Sequence, residues 1–407
     1  MVARSPRSTR HAVRLLACAA LLAPVACSTE RPSTATPEAA LNAQWRHLGD
    51  TAGPGQWSGA DGTGSVRLPD GRVAWFFSDT YLGPVSRDGS RTGNGFVHNS
   101  LVVQDGDRLT TVPADTPVSP PYGTSGWYWA GAGFVEGGRL VEFYHRLNGS
   151  GDWDFTEQGV ALATFTLPSL RLESVRDLPA AWPPPGRTPI MWGAGLFEQG
   201  SWTYVYGYRG HLDRPEHPKW LYVARAPRGR VADLASWQYD TGAGWSADPA
   251  QAAELPTPVD SGFGIVRVGD GYALVTRHPS ADLGDGAITA YLARSPVGPF
   301  RQADSAVVYR APETASGWYV YQARVHPQLA GHDRIVMSYN VNTSLVDGDC
   351  TPQNLRKAAV YRPRFVSVPL SVFRRGYSAP PVRDATIGPG WFRTCPKLSL
   401  TTSTIGF

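Results

Sequence analysis

The chain has 407 residues, 42% of them hydrophobic and 18% charged, with 44 glycines, 35 prolines and a formal net charge of +4. Arg4, Arg7, Arg10 and Arg14 lie in the first 26 residues without an acid among them, so the remainder is close to neutral. That balance argues against a nucleic-acid binder, whose footprint is a basic surface, and the glycine and proline content is too low for wholesale disorder.

The opening MVARSPRSTRHAVRLLACAALLAPVAC joins a basic start to a short apolar run that ends in small residues at a cysteine. This pattern predicts a signal peptide over residues 1–26. The Ala26-Cys27 junction has the form of a bacterial lipoprotein cleavage site, so Cys27 is the expected lipidation site. With the anchor or by plain secretion, the mature chain is expected outside the cytoplasm, touching membrane only through such an anchor. No later stretch is apolar for long enough to cross a bilayer. Ser28 to Gln44, STERPSTATPEAALNAQ, is polar and proline-bearing and reads as a tether. A single domain is therefore expected over residues 45–407.

From Trp45 onward short β-branched and aromatic runs such as VAWFFS, RLVEFYH, WTYVYGY, YALVTR and RIVMSYN follow turns rich in Gly and Asp, the signature of strands. Five segments align as hairpins: GADGTGSVRLPDGRVAWFFSDT, YWAGAGFVEGGRLVEFYHR, MWGAGLFEQGSWTYVYGYR, DSGFGIVRVGDGYALVTRH and VYQARVHPQLAGHDRIVMSYN. The first four share a glycine at Gly64, Gly133, Gly195 and Gly264, two residues after Gly62, Gly131, Gly193 and Gly262; the fifth carries Gln322 and Arg324 instead. Weaker strand pairs follow, as in LYVARAPRGRVADLASWQYD and AYLARSPVGPFRQ. The repeat predicts an all-β fold, a five-bladed β-propeller with four-stranded antiparallel blades around a central funnel. The glycines let inner strands approach one another.

If each hairpin starts and returns at one mouth of the funnel, the residues there can be read from the sequence. Starting ends supply Asp61, Trp129, Trp192, Asp260, Tyr321 and Gln322; returning ends supply Asp79, His145, Arg146, Tyr208, Arg209, Arg277, His278, Tyr339 and Asn340. Aromatic faces among carboxylates, amides and arginines suit a sugar, whose ring stacks while its hydroxyls are hydrogen-bonded.

The chain resembles the secreted bacterial five-bladed propellers related to the arabinanase and β-xylosidase clan, and in particular an actinobacterial group of unknown function with some members acting on D-arabinan. Carrying the likeness are Asp61 in GADGTGSV, the strand end SDT with Asp79, the ARAP and WQYDTGAGW segments after the third hairpin, and ARSPVGPF after the fourth. The resemblance implies a glycosidase with its site in the funnel and Asp61 as base or nucleophile. It also implies a glutamate as general acid, and no glutamate starts a hairpin here.

Glycoside hydrolysis needs two carboxyls, one to donate a proton and one ionised to assist attack. Asp260 is the leading donor on this reading, with Asp79 orienting one of the pair or raising its pKa, and Glu313 is the substitute acid. The plainer alternatives are that Asp79 and Asp61 serve their turns, that Trp129 and Trp192 pack, that the arginines brace acids, and that His326 is a core histidine. Two other functions fit the same residues: a glycan-binding propeller without catalysis, and a uronate lyase using the His, Arg and Tyr groups. No metal or cofactor is expected, and the partner is a polysaccharide or oligosaccharide met by a monomer. With Cys18 in the leader, Cys350 and Cys395 are the expected disulfide.

Overall fold

The fold is that of a computed structural model, described for Met1 and residues 34–374 except 94, 114–124, 152–153, 180–187, 211–218, 278–285, 302–303 and 344–350. Cys27, His278, Cys350 and Cys395 therefore lie outside the described residues, as does the signal peptide. All five aligned segments are antiparallel hairpins: Gly64–Arg67 with Val73–Phe77, Trp127–Glu136 with Arg139–Gly151, Met191–Gln199 with Trp202–Arg209, Phe263–Val268 with Gly271–Arg277, and Tyr319–Val325 with Arg334–Asn342. Each is extended into an antiparallel sheet of four strands or more, so the fold is all-β, with two short α-helices. Below, the sheets are numbered one to five in chain order of these hairpins. A separate three-stranded sheet, Trp57–Ala60, Thr80–Leu82 and Gly95–Val97, continues the first hairpin beyond its two ends.

Alternation explains why the sheets stack. Central strands such as Val73–Phe77 are buried at every position, so apolar side chains leave both faces. Separate apolar clusters fill the spaces between sheets one and two (Phe76, Leu140), sheets two to four (Phe143, Trp192, Phe263) and sheets four and five (Val275, Val320). A fourth joins sheet five to sheet one through Val336, Phe365, Trp75 and Phe77. Close backbone approach accompanies this packing: a Cβ on Gly131 would stand 2.8 Å from Gly193 O, and one on Gly264 only 2.9 Å from Val325 N. The glycine pairs thus sit where neighbouring inner strands touch, as their recurrence predicts.

The segment read as a tether is structured from Thr36. Thr36–Pro37 is the outermost strand of sheet five, paired with Arg364–Pro369, and Ala39–Asp50 is an α-helix. Its apolar residues Leu41, Trp45 and Leu48 recur at helical spacing and pack into the junction of sheets five and one. That period straddles Gln44, the end assigned to the tether, so neither half displays it.

Candidate functional site

The first hairpin places its acids as its turn requires. Between the strands ending at Ala60 and starting at Gly64, the ladder is interrupted at Asp61, opposite Ser78 and Asp79: Ser78 N donates to Asp61 O at 2.9 Å, and Asp61 N to Asp79 O at 3.2 Å. Gly62 makes the interruption feasible. Its φ is +70°, and a Cβ there would lie 2.9 Å from Ser78 N and closer still to the Ser78 side chain. The two acids consequently lie on neighbouring strands, close enough for the charge of Asp79 to act on Asp61.

The hydroxyls of Tyr321 and Tyr361 donate to Asp61 Oδ2, at 2.8 and 2.6 Å, whereas Oδ1 is buried with no partner among the described residues. Burial, and then the negative charge of Asp79, push the Asp61 pKa up to about 7; the tyrosine hydrogen bonds act against that rise. Asp61 is thus divided between its acid and its anion near neutrality, the condition for proton transfer in either direction. Asp79 Oδ1 receives the Trp129 indole N–H at 2.8 Å and contacts His98 Nδ1 at 2.8 Å. Tyr361 and His98 were absent from the sequence reading. Each lies outside the repeated hairpins, in the approach to the last strand and just past the side sheet, where alignment of repeats gives no signal.

Asp260 has another task. Its Oδ1 accepts Ser261 N at 2.8 Å, and its Oδ2 accepts Gln322 N at 2.8 Å and Arg277 Nε at 3.3 Å. Three donors, one of them cationic, occupy both of its oxygens. They also hold Gln322 in the left-handed region, at φ 49°, and so fix the neighbouring Tyr321 toward Asp61. Asn340 closes this network, donating to Gln322 Oε1 at 3.2 Å and accepting from Thr63 Oγ1 at 2.9 Å. Glu313 is bound by Tyr339 Oη at 2.9 Å and Arg364 Nε at 3.1 Å.

The remaining predicted ring does not assemble as one surface. Trp192 is fully buried in the core between sheets two to four and is no stacking platform. His145 is buried with Nε2 3.1 Å from Trp192 O, and burial pulls its pKa down to about 3, leaving it neutral. Tyr208 Oη lies 3.5 Å from His145 Nδ1. Arg146 pairs with Asp177 at 3.3 Å and Arg209 with Glu254 at 3.3 Å. A uronate lyase would need these groups gathered about a substrate carboxylate; the structure divides them among buried contacts and separate ion pairs. Among the described residues, no group of three or more His, Cys, Asp or Glu could hold a metal ion.

Residues 47–377 match the family described as "Domain of unknown function (DUF5005)". The chain belongs to this family. No curated protein matches the DUF5005 chain in sequence. Among solved structures, it shares its fold with a "putative hydrolase" from Bacteroides ovatus, at a TM-score of 0.63 and 20% identity, over 84% of this chain and 92% of the other. Weaker likenesses are to a GH43_1 enzyme from Xanthomonas citri solved with xylotriose (TM-score 0.45, 14% identity, 81% and 93% covered) and an α-L-arabinofuranosidase from Podospora anserina solved with cellotriose (TM-score 0.46, 11% identity, 78% and 95% covered).

Proposed function

We propose that this protein is an extracytoplasmic glycoside hydrolase acting on a cell-wall or plant-type polysaccharide such as arabinan. The observation that carries the reading is the neighbouring pair Asp61 and Asp79: one carboxyl with its pKa near 7, held by two tyrosines, and the other bound by the indole N–H of a half-buried tryptophan. In this scheme Asp61 gives or takes the proton, with both tyrosines holding its Oδ2. Asp79 is the ionised member that assists attack at the anomeric carbon and keeps Asp61 partly protonated. The five sheets are the blades of a propeller, and the acids lie at the end of its first inner hairpin. A signal peptide exports the protein, and a lipid on Cys27 holds it, as a monomer, at the outer face of the cytoplasmic membrane.

Reducing-end release from a panel of arabinans, xylans and actinobacterial wall glycans tests the reading. The mature protein releases sugar from at least one, and Asp61→Asn releases none. No release by the wild-type protein, or equal release by both, overturns it. A second reading, a glycan-binding protein without catalysis, is favoured by the burial of Asp61, whose Oδ1 is enclosed and whose Oδ2 is taken by two tyrosines. Binding without release identifies that case.

A further inference from the structure

Beside the acids runs a chain of ring contacts that the proton-transfer scheme does not use. Tyr81 meets Phe96 at 5.2 Å between centroids, Phe96 meets His98 at 5.4 Å, and His98 stacks on Trp127 at 4.9 Å. Trp127 continues to Trp129 at 6.3 Å, and Trp129 to Phe155 at 4.8 Å. The rings come from the three-stranded side sheet, the residue just after it, and sheet two. They are tied to the catalytic pair at two points: Trp129 and His98 bind Asp79, and Tyr81 packs on Tyr361, which binds Asp61. Phe96 is 41% exposed, the one large apolar side chain besides Met1 so exposed among the described residues.

We infer that this aromatic lane binds a neutral polysaccharide chain and delivers it to Asp61 and Asp79. The inference rests on the carbohydrate reading above and adds where the chain lies and its charge. Rings interrupted by polar groups match the alternating apolar faces and hydroxyls of linked sugars. Neutrality follows from the arginines. Arg146, Arg209 and Arg277 pair with Asp177, Glu254 and Asp260. Arg91, which covers Tyr81 at 4.4 Å, is held by Ser58 Oγ and by the carbonyls of Asn354 and Ala358. Two carboxyls at the head of the lane would in turn repel a uronate.

Affinity electrophoresis of the mature Asp61→Asn protein through gels containing linear arabinan, xylan, galactan or polygalacturonate tests this without turnover. At least one neutral polymer retards the protein, polygalacturonate does not, and Phe96→Ala or Trp127→Phe weakens the retardation about tenfold, the equivalent of 1.4 kcal/mol. Phe96 is exposed enough for its removal to leave folding intact, which thermal melting checks. Retardation by none of the neutral polymers, equal retardation by polygalacturonate, or retardation unchanged in both lane variants overturns the inference. Hydrolysis is scored separately, so a chain that binds in the lane but releases no sugar defeats the hydrolase reading alone.

Discussion

Asp61 is a side chain whose protonation the fold controls from three directions, and each can be altered alone. Removing the charge of its neighbour with Asp79→Asn lowers the Asp61 pKa toward the ordinary carboxylate range. The pH profile of sugar release, or the carboxyl signal in NMR titration, moves to lower pH. Tyr361→Phe removes a donor that favours the anion and moves the same midpoint higher. Stability follows the opposite face of the linkage. A carboxyl whose pKa rises from 3.8 unfolded to about 7 folded does not oppose folding below pH 3.8, and its burial costs progressively more as pH climbs to 7. Asp61→Asn should therefore melt close to wild type at pH 4 and above it at pH 8, the gap reaching a few kcal/mol at about 1.4 kcal/mol per pKa unit. A gap that does not widen with pH removes the raised pKa from the account.

At the scale of elements, the interruption of the first hairpin and the N-terminal helix matter most. Gly62→Ala forces a Cβ against Ser78 at a positive φ, so the loop must shift and carry Asp61 away from its place beside Asp79. Loss of sugar release accompanied by about 1–3 kcal/mol of destabilisation is expected, whereas Gly71→Ala, in an open turn with φ +91°, strains its backbone without touching the site. In the helix, Trp45 is edge-on to Trp57, Trp75 and Phe77 at 5.0, 5.3 and 5.2 Å, and stacked on Phe365 at 6.0 Å. Trp45→Ala should cost about 3–5 kcal/mol in chemical denaturation. Repetition made the hairpins legible: five copies of one pattern identify each other, and the pairing of Trp129 with His145 and Tyr321 with Asn340 follows the expected ends. The helix has no second copy, and its period was hidden by a boundary drawn on composition.

For the whole molecule, the junction of sheet five with sheet one is the seam to test. Thr36–Pro37 completes sheet five. His326 bridges Ser65 at 2.5 Å and Ser338 at 2.8 Å, and Arg67 reaches Gln328 O at 2.7 Å. Burial lowers the His326 pKa to about 3, so the unfolded chain takes up a proton below pH 6.5 that the folded one refuses. Its contribution is present above pH 6.5 and is lost as pH falls toward 3. His326→Gln should accordingly lower the melting temperature at pH 8 and narrow its deficit, or reverse it, by pH 4. A deficit constant with pH would show that the imidazole takes up its proton in the fold as readily as in the unfolded chain.

Strand content, the repeated hairpins and the backbone pairing of Asp61 with Asp79 were determined by the sequence, because a two-residue side-chain period and a tight turn are local properties that each segment carries within itself. Which groups touch those acids was decided only by tertiary structure. Tyr361 lies 300 positions from Asp61, and Asp260 became an anchor for Gln322 because the backbone of the next sheet arrives there. Trp192, similar in sequence context to Trp129, went into the core while Trp129 reached Asp79. Side-chain type and spacing do not encode those distances; they arise when separate sheets pack and exclude water, and that same exclusion sets the charge of Asp61.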